Sequence, residues 1–436
     1  MHKSHFLLLQ RLASMKLSLG GEWMTLLPGR FKTRITLASR CLAVASWLGM
    51  PMACLGADYD FYGNWPTHVT ASDGTDFGLA VLYQYDINEF SQDDGRFEDA
   101  QTNRRRYLGL YFRKPGVYDA IAQYDYQARQ WADAFVRLRS SGVVGEDLGN
   151  VRFGYSKTPV GFEGVTSTSA TTFIESALPT QAVWEGRRAG VDWAWIRPHF
   201  VLNVGDYFWR KDLDGNNPGS TWAARAAWIP INQPGHVLHL GLSASREKLD
   251  WADQGTVPPA ARLRARPEAG LTPVRLVDSG NLSYSKNVNR QGVEALWIDG
   301  PWSVQGEYLQ ARVQRYNGKP DYDASGFYVF TTWTLTGEAR YYSDGNVGDR
   351  RYTGRDQQVI RPSHAWGAVE VALRYSELDL NDGAITGGRE HDWTVGANWY
   401  LGEHLKLQAN YVWAFSDRGN LEVNPHIFEM RAQIYF

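Results

Sequence analysis

Residues 426 to 436 read HIFEMRAQIYF. Phe428, Met430, Ala432, Ile434 and Phe436 share one face of an extended chain, and Glu429, Arg431, Gln433 and Tyr435 share the other. One face is wholly apolar and the other mostly polar, as for a strand with lipid outside and water inside. The sequence ends on Phe436. An apolar strand left unpaired there would be an aggregation site, so it has to pair and the sheet has to close.

The same alternation recurs upstream. Candidate strands are 75–90, 102–114, 117–127, 131–139, 150–157, 187–195, 198–211, 219–229, 236–249, 281–298, 302–314, 325–336, 363–378, 391–401 and 404–416. With the last segment they number 16, the even count that a bacterial single-chain barrel requires. Short connections at 114–117, 196–199, 299–302 and 401–404 carry Pro or Gly turn chemistry. Longer polar stretches at 90–101, 158–186, 250–280, 314–324, 378–390 and 417–425 lie between them. Short turns at one end and long loops at the other fit an all-β, antiparallel transmembrane β-barrel. The connection 337–362 is long where a turn is expected. No repeat of blade length is visible, which counts against a propeller.

Composition agrees. Aromatic residues make up 14% of the chain, including 23 Tyr and 18 Trp, yet after the first 57 residues no run approaches 18 apolar residues. Residues 1–57 read as a leader: Arg30, Lys32, Arg34 and Arg40 precede an apolar stretch that ends in small residues near Ala57. Met24 is a candidate start within it, and residues 58–436 form one barrel domain. Both cysteines, Cys41 and Cys54, fall in the leader, so the mature chain has no thiol chemistry. Removing the leader's seven Lys/Arg and one Glu from the 45 basic and 47 acidic residues leaves 38 and 46, a net charge of −8.

Within this mildly acidic shell stands a row of cations, Arg262, Arg264 and Arg266, spaced by Leu263 and Ala265. In an extended chain they share one face at intervals of about 7 Å, with no carboxylate interleaved. Guanidinium forks match phosphate oxygens, so the row suits a line of anions, provided that the 250–280 loop folds into the lumen. Arg275 is a candidate extension.

Several segments resemble one family, the phosphate-selective porins of the O and P type. They are GYSKTPVGFE (154–163), FIESALPTQAVWEGRRAG (173–190), QPGHVLHLGLSAS (233–245), RLRARPEAG (262–270), ASGFYVFTTWTLTGE (324–338) and GAVEVALRYSELDLNDG (367–383). The resemblance implies a 16-stranded homotrimer in the bacterial outer membrane, passing phosphate or polyphosphate through a basic constriction. It implies that 158–186 folds inward as the constriction loop. Arg104 and Arg105 match the family's paired arginines of the second strand. Period 2 puts Arg105 on the lumen side and Arg104 on the lipid side unless a bulge turns it. Family arginines fall at Leu82 and Tyr155, although Lys157 shares the face of Tyr155. Arg187 and Arg188 follow the constriction loop, and alternation directs only one of them inward.

Other features are weaker. The acidic segment Gln92 to Asp99 is a candidate for divalent cations near lipopolysaccharide, and otherwise a solvated loop tip. Asp212, Asp214 and Asn216 mimic the start of a calcium loop, but Ala223 stands where the closing Glu belongs, so they read as a turn. No HExxH, GxSxG, phosphate-cradling glycine loop or CxxC motif is present, and no cofactor is expected. Nucleic acid is not an expected partner. The readings to compare are an anion-selective porin, a general, sugar- or carboxylate-selective porin, and a barrel enzyme of the outer membrane.

Overall fold

The computed structural model describes residues 68–208, 219–251, 257–342, 360–402, 404–419 and 423–436, all within one compact unit, Phe61–Phe436. The leader and the Asp212, Asp214 and Asn216 turn lie outside the described residues.

Sixteen long strands form the wall. The first eight are β1 Asp76–Ser91, β2 Ala100–Lys114, β3 Tyr118–Asp125, β4 Gln130–Arg139, β5 Asn150–Lys157, β6 Arg187–Arg197, β7 Phe200–Tyr207 and β8 Ser220–Gln233. The rest are β9 His236–Lys248, β10 Ser285–Asp299, β11 Trp302–Arg315, β12 Tyr322–Thr334, β13 Ala368–Asp382, β14 Ile385–Leu401, β15 Leu405–Asp417 and β16 His426–Tyr435. Each pairs antiparallel with its sequence neighbour, and β1 pairs with β16, so the sheet closes. A short strand, His68–Thr70, doubles back along the start of β1. All sixteen segments read from the alternation are strands.

The closing seam is the one that the terminal strand demanded. Leu82 to Ser91 pair with Tyr435 back to His426. Val81 N–H donates to Phe436 O at 2.6 Å, and Phe436 N–H to Val81 O at 3.1 Å. No free edge is left at the last residue, which removes the aggregation hazard.

Outside, the wall is apolar. Val293, Val329, Leu373 and Val395 are exposed on its middle band. At the turn side Trp302 and Trp333 face each other across β11 and β12 and stack at 5.0 Å. At the loop side Tyr375 and Trp393 lie 4.9 Å apart. Two aromatic girdles around an apolar band match the two membrane interfaces. Inside, β16 presents Glu429, Arg431 and Gln433, all buried.

One connection differs from the sequence reading. Residues 378–390 are no loop: β13 runs to Asp382 and β14 starts at Ile385, a two-residue turn at Gly383 with φ 56°. Its polar residues belong to a hairpin that extends the wall at the loop side.

Candidate functional site: the lumen

The loop between β5 and β6 leaves the wall at Gly161, whose φ of 72° a side chain would resist. The Glu307 carboxylate of β11 accepts hydrogen bonds from Phe162 N–H and Glu163 N–H, and Ser243 Oγ accepts from Gly161 N–H. These satisfy the free amides of the helical turn Phe162–Val165. The loop then crosses the lumen, and its carbonyls become acceptors for side chains of the far wall. Gln433 Nε2 reaches Ser169 O at 2.9 Å, Lys406 Nζ reaches Thr171 O at 2.6 Å, and Arg431 reaches Ile174 O at 2.7 Å. Arg374 reaches Glu175 O at 3.1 Å, and Ser376 Oγ accepts from Leu178 N–H. Residues 158–186 fold inward, as the resemblance implied.

The loop between β9 and β10 follows. Leu263, Ala265, Val277 and Leu282 are buried in one cluster with Leu178 and Val183 of the inward loop and with Leu309, Val313 and Leu378 of the wall. Arg264–Ala265 pairs with Val277–Asp278 as a small hairpin. Glu268 is fully buried, bonded by the Arg374 guanidinium and by Thr394 Oγ1. Gly270 lies against the inward loop: a Cβ there would meet Glu175 Oε1 at 2.2 Å and Arg104 Nε at 3.0 Å. A side chain there would push the Glu175 carboxylate away from Arg104.

The apolar residues of the RLRAR stretch face the packing, and its arginines face the open side. Leu263 and Ala265 are buried, Arg262 and Arg264 exposed, and Arg266 half-buried. One arginine is neutralised, contrary to the reading of a row without carboxylates: Arg262 forms a two-pronged pair with Asp278 of the facing strand. Among the described residues, no side-chain hydrogen bond or ion pair holds Arg264, Arg266 or Arg275, and a buried Arg266 Nε has no partner. The three interact with one another as like charges. Burial and the neighbouring Arg266 and Arg264 draw Arg275 down to about 10, still charged at neutral pH. Burial also draws Arg266 down, while Glu175 draws it up.

Glu175 joins this group to the wall. Arg104 Nε donates to it at 3.1 Å and Arg431 Nη2 at 3.3 Å. Burial pushes the carboxyl up, but Arg104, Arg105 and Arg431 outweigh that and hold it at about 2. Arg104 reaches inward because of a bulge: Gln84 pairs with Arg105 and Tyr85 with Asn103, so Arg104 is left out of register. Arg105 donates to Gln84 Oε1 at 2.7 Å. Both side chains therefore lie on the lumen side.

The remaining cations are occupied. Lys157 is a correction: it is buried beneath the inward loop, not set on the open path. Its Nζ donates to Gly164 O at 2.9 Å and to Thr166 O, and lies 5.2 Å from the Trp184 ring. Arg187 pairs with Asp133 at 3.1 Å. Arg188 pairs with Glu247 at 2.8 Å, so both arginines meet inner-wall carboxylates despite strict alternation. Leu82 and Tyr155 are buried on the inner wall. The segment 92–99 uses Asp93 to accept from Gly95 and Phe97 N–H, and no three His, Cys, Asp or Glu among the described residues are grouped to hold a metal ion.

Sequence reasoning did not single out Arg431, Arg374, Glu175 or Glu268. Arg431 was legible as an inner-face residue of β16, but one arginine on a polar face is no motif. Its partner Asp86 stands directly opposite on β1, with the guanidinium bonding both carboxylate oxygens.

The family model for the phosphate-selective porins O and P matches residues 77–436, nearly the whole wall with both inward loops. The chain belongs to this family. Porin O of Pseudomonas aeruginosa is 28% identical over 380 residues, covering 78% of this chain and 83% of that protein. An uncharacterized protein of Caulobacter vibrioides is 28% identical over 267 residues, 57% of this chain and 50% of its own length. Among solved structures, OmpT of Vibrio cholerae superposes with a TM-score of 0.54 at 11% identity, covering 84% of this chain and 99% of its own. The DcaP channel of Acinetobacter baumannii superposes with a TM-score of 0.51 at 11% identity, covering 85% and 100%. The protein is an outer-membrane porin, a channel and not an enzyme.

Proposed function

We propose that this porin is an anion-selective diffusion channel that prefers phosphate or polyphosphate, with Arg264, Arg266 and Arg275 as its working cations. One observation carries the reading: among the described residues these three guanidiniums have no side-chain hydrogen bond or ion pair, while the wall arginines Arg374 and Arg431 beside them are neutralised. Each can replace part of a phosphate oxygen's hydration by two parallel hydrogen bonds. At an effective dielectric near 20, one charge pair at ~4 Å is worth about 4 kcal/mol before desolvation. That corresponds to roughly millimolar binding, strong enough to attract and weak enough to release. Arg104 lies within electrostatic reach of Arg266, with Glu175 bonded to both Arg104 and Arg431. The loss of family arginines at Leu82 and Tyr155 favours a phosphate preference weaker than the anion preference itself.

We further propose a homotrimer. A solved form of OmpT of Vibrio cholerae is a trimer. Here an outward apolar groove on β2 to β5, lined by Leu110, Phe112, Ala122, Val136 and Phe153, suits a neighbouring protomer.

The test is the reversal potential under a salt gradient, with phosphate block of chloride current, in planar bilayers. Replacing Arg264, Arg266 and Arg275 by Glu changes the local charge by six units. The Debye length of about 10 Å at 0.1 M salt leaves such a change partly unscreened in a narrow lumen. Anion preference should fall steeply. A folded triple variant that keeps wild-type selectivity would refute the reading.

A further inference from the structure

Of the long connection between β12 and β13, residues 335–342 and 360–367 are described, and the first of these limbs leads from the turn side to buried positions inside the barrel. The two limbs meet in a backbone bridge between Arg340 and Ile360, and both residues are buried. Ile360 packs with Ala368 and Tyr400 of the wall. The Arg340 guanidinium is held at two nitrogens: Nη2 donates to Glu370 at 2.7 Å and to Thr172 Oγ1, and Nε donates to Thr332 Oγ1 at 3.1 Å. The Phe330 ring lies 5.8 Å from its carbon.

Two residues further on, the limb meets a different part of the wall. Tyr342 OH lies 2.8 Å from His239 Nδ1 on β9, and its ring packs against the cluster that holds Phe162 and Ala170. The limb therefore touches the constriction loop at two places, through Thr172 and beside Phe162. Thr172 stands three residues before Glu175, and Asn398 and Gln408 fix its carbonyl from the wall at 3.0 Å each. Its hydroxyl is fixed by Arg340.

We propose that Arg340 is a positioning residue for the constriction. It ties Thr172 to Glu370, and through the next three residues sets where Glu175 presents its carboxylate to Arg104 and Arg431. A buried ion pair adds little stability over an apolar contact of the same volume, but it is directional. An apolar side chain at 340 could fill the space and could not fix the rotation of Thr172. The turn-side connection thereby acts on a charge set that comes from the opposite, loop-side end of the barrel. This assignment rests on the pore, and not on phosphate being its preferred anion.

Two perturbations test it in purified protein in planar bilayers, read by unitary chloride conductance, open-channel noise and reversal potential. Thr172→Val removes the acceptor on the loop and leaves the Arg340–Glu370 pair whole. Arg340→Gln with Glu370→Gln removes both charges together, so that no buried carboxylate is stranded. Each should raise open-channel noise at least twofold and shift the reversal potential in the same direction, with heat dissociation of the assembled protein close to wild type. The two sets combined should do no more than either alone, because they break one link. Arg340→Lys, which keeps the charge without the fork, should recover part of the wild-type signal. Wild-type noise and reversal potential in both perturbations overturn the proposal. A shift in the double Gln variant without one in Thr172→Val also overturns it, since the effect would then run through the wall alone. These chloride readouts stay informative if phosphate proves a poor substrate, so failure here and failure of the phosphate reading are distinguishable.

Discussion

Glu175→Gln should increase block by phosphate while leaving the pore open. In the lumen this carboxylate accepts from Arg104 and Arg431 at 3.1 and 3.3 Å and is sensed by Arg266. Gln retains one carbonyl oxygen for Arg104 Nε and Arg431, loses the longer acceptor for Arg104 Nη2 at 3.4 Å, and removes one negative charge. For an anion taken at about 6 Å from the carboxylate, the repulsion lost is about 0.7 kcal/mol in a fully aqueous pore and about 3 kcal/mol at an effective dielectric near 20. The half-blocking concentration of phosphate should drop by between about threefold and about a hundredfold. The same change costs stability. Because Glu175 is held at about 2, below its ordinary 4.5, its charge stabilises the folded state above pH 4.5, and this contribution fades as pH falls toward 2. At neutral pH the loss is about 3 kcal/mol. The stability gap between wild type and Glu175→Gln, followed by heat dissociation of the assembled protein, should therefore narrow in acid. An unchanged half-blocking concentration in a folded variant with wild-type conductance would refute the placement of anions at this group.

Deleting Gly164 to Ala170 shortens the loop that crosses the lumen and should raise single-channel conductance; equal conductance in a folded variant would count against its narrowing the path. Leu263→Glu puts a charge into the buried cluster under the row, at a cost of several kcal/mol, and should lower thermal stability more than it changes selectivity. Removing Phe436 deletes the two closing hydrogen bonds to Val81 and an aromatic on the lipid face, and should reduce the yield of assembled protein in outer-membrane fractions. Arg→Lys at 264, 266 and 275 together should keep the reversal potential and weaken phosphate block, because ammonium lacks the two-pronged fork.

The wall was legible because lipid enforces strict alternation on every strand. Even so, alternation measures pairing, not function. Arg104 needed a bulge to turn inward, and the register skip between Gln84 and Tyr85 has no signature in TNRRRYLG. The segment 378–390 reads as a loop because Asp, Asn, Glu and Gly crowd it, yet above the membrane a strand has no apolar face to declare itself. The inward loops were recognisable by length and by family resemblance. Their anchors were not, since backbone carbonyls at Ser169, Thr171 and Ile174 do the binding and any sequence has carbonyls. Neutralisation of Arg262 by Asp278 lay sixteen residues away and depended on a two-residue hairpin.

The charges inside the barrel fall into two populations, divided by their access to water. Under the loops, where a lone charge would cost several kcal/mol, guanidiniums are paired: Arg374 with Glu268, Arg431 with Asp86, Arg225 with Glu294, Arg290 with Glu247 and Arg340 with Glu370. Each such pair cancels one cation against one carboxylate, so these charges add little to the field along the path. At the open side of the folded loop Arg264 is exposed and Arg266 and Arg275 are half-buried, and among the described residues none of the three has a side-chain hydrogen bond or ion pair. On the proposed reading, the cations that a passing anion meets are those without a bonded carboxylate such as the one Asp278 supplies to Arg262. The ion pairs of the wall fix the loops, and the RLRAR stretch rests on the loop that crosses the lumen through Leu263, Ala265 and the Gln181 contact of Arg266 N–H.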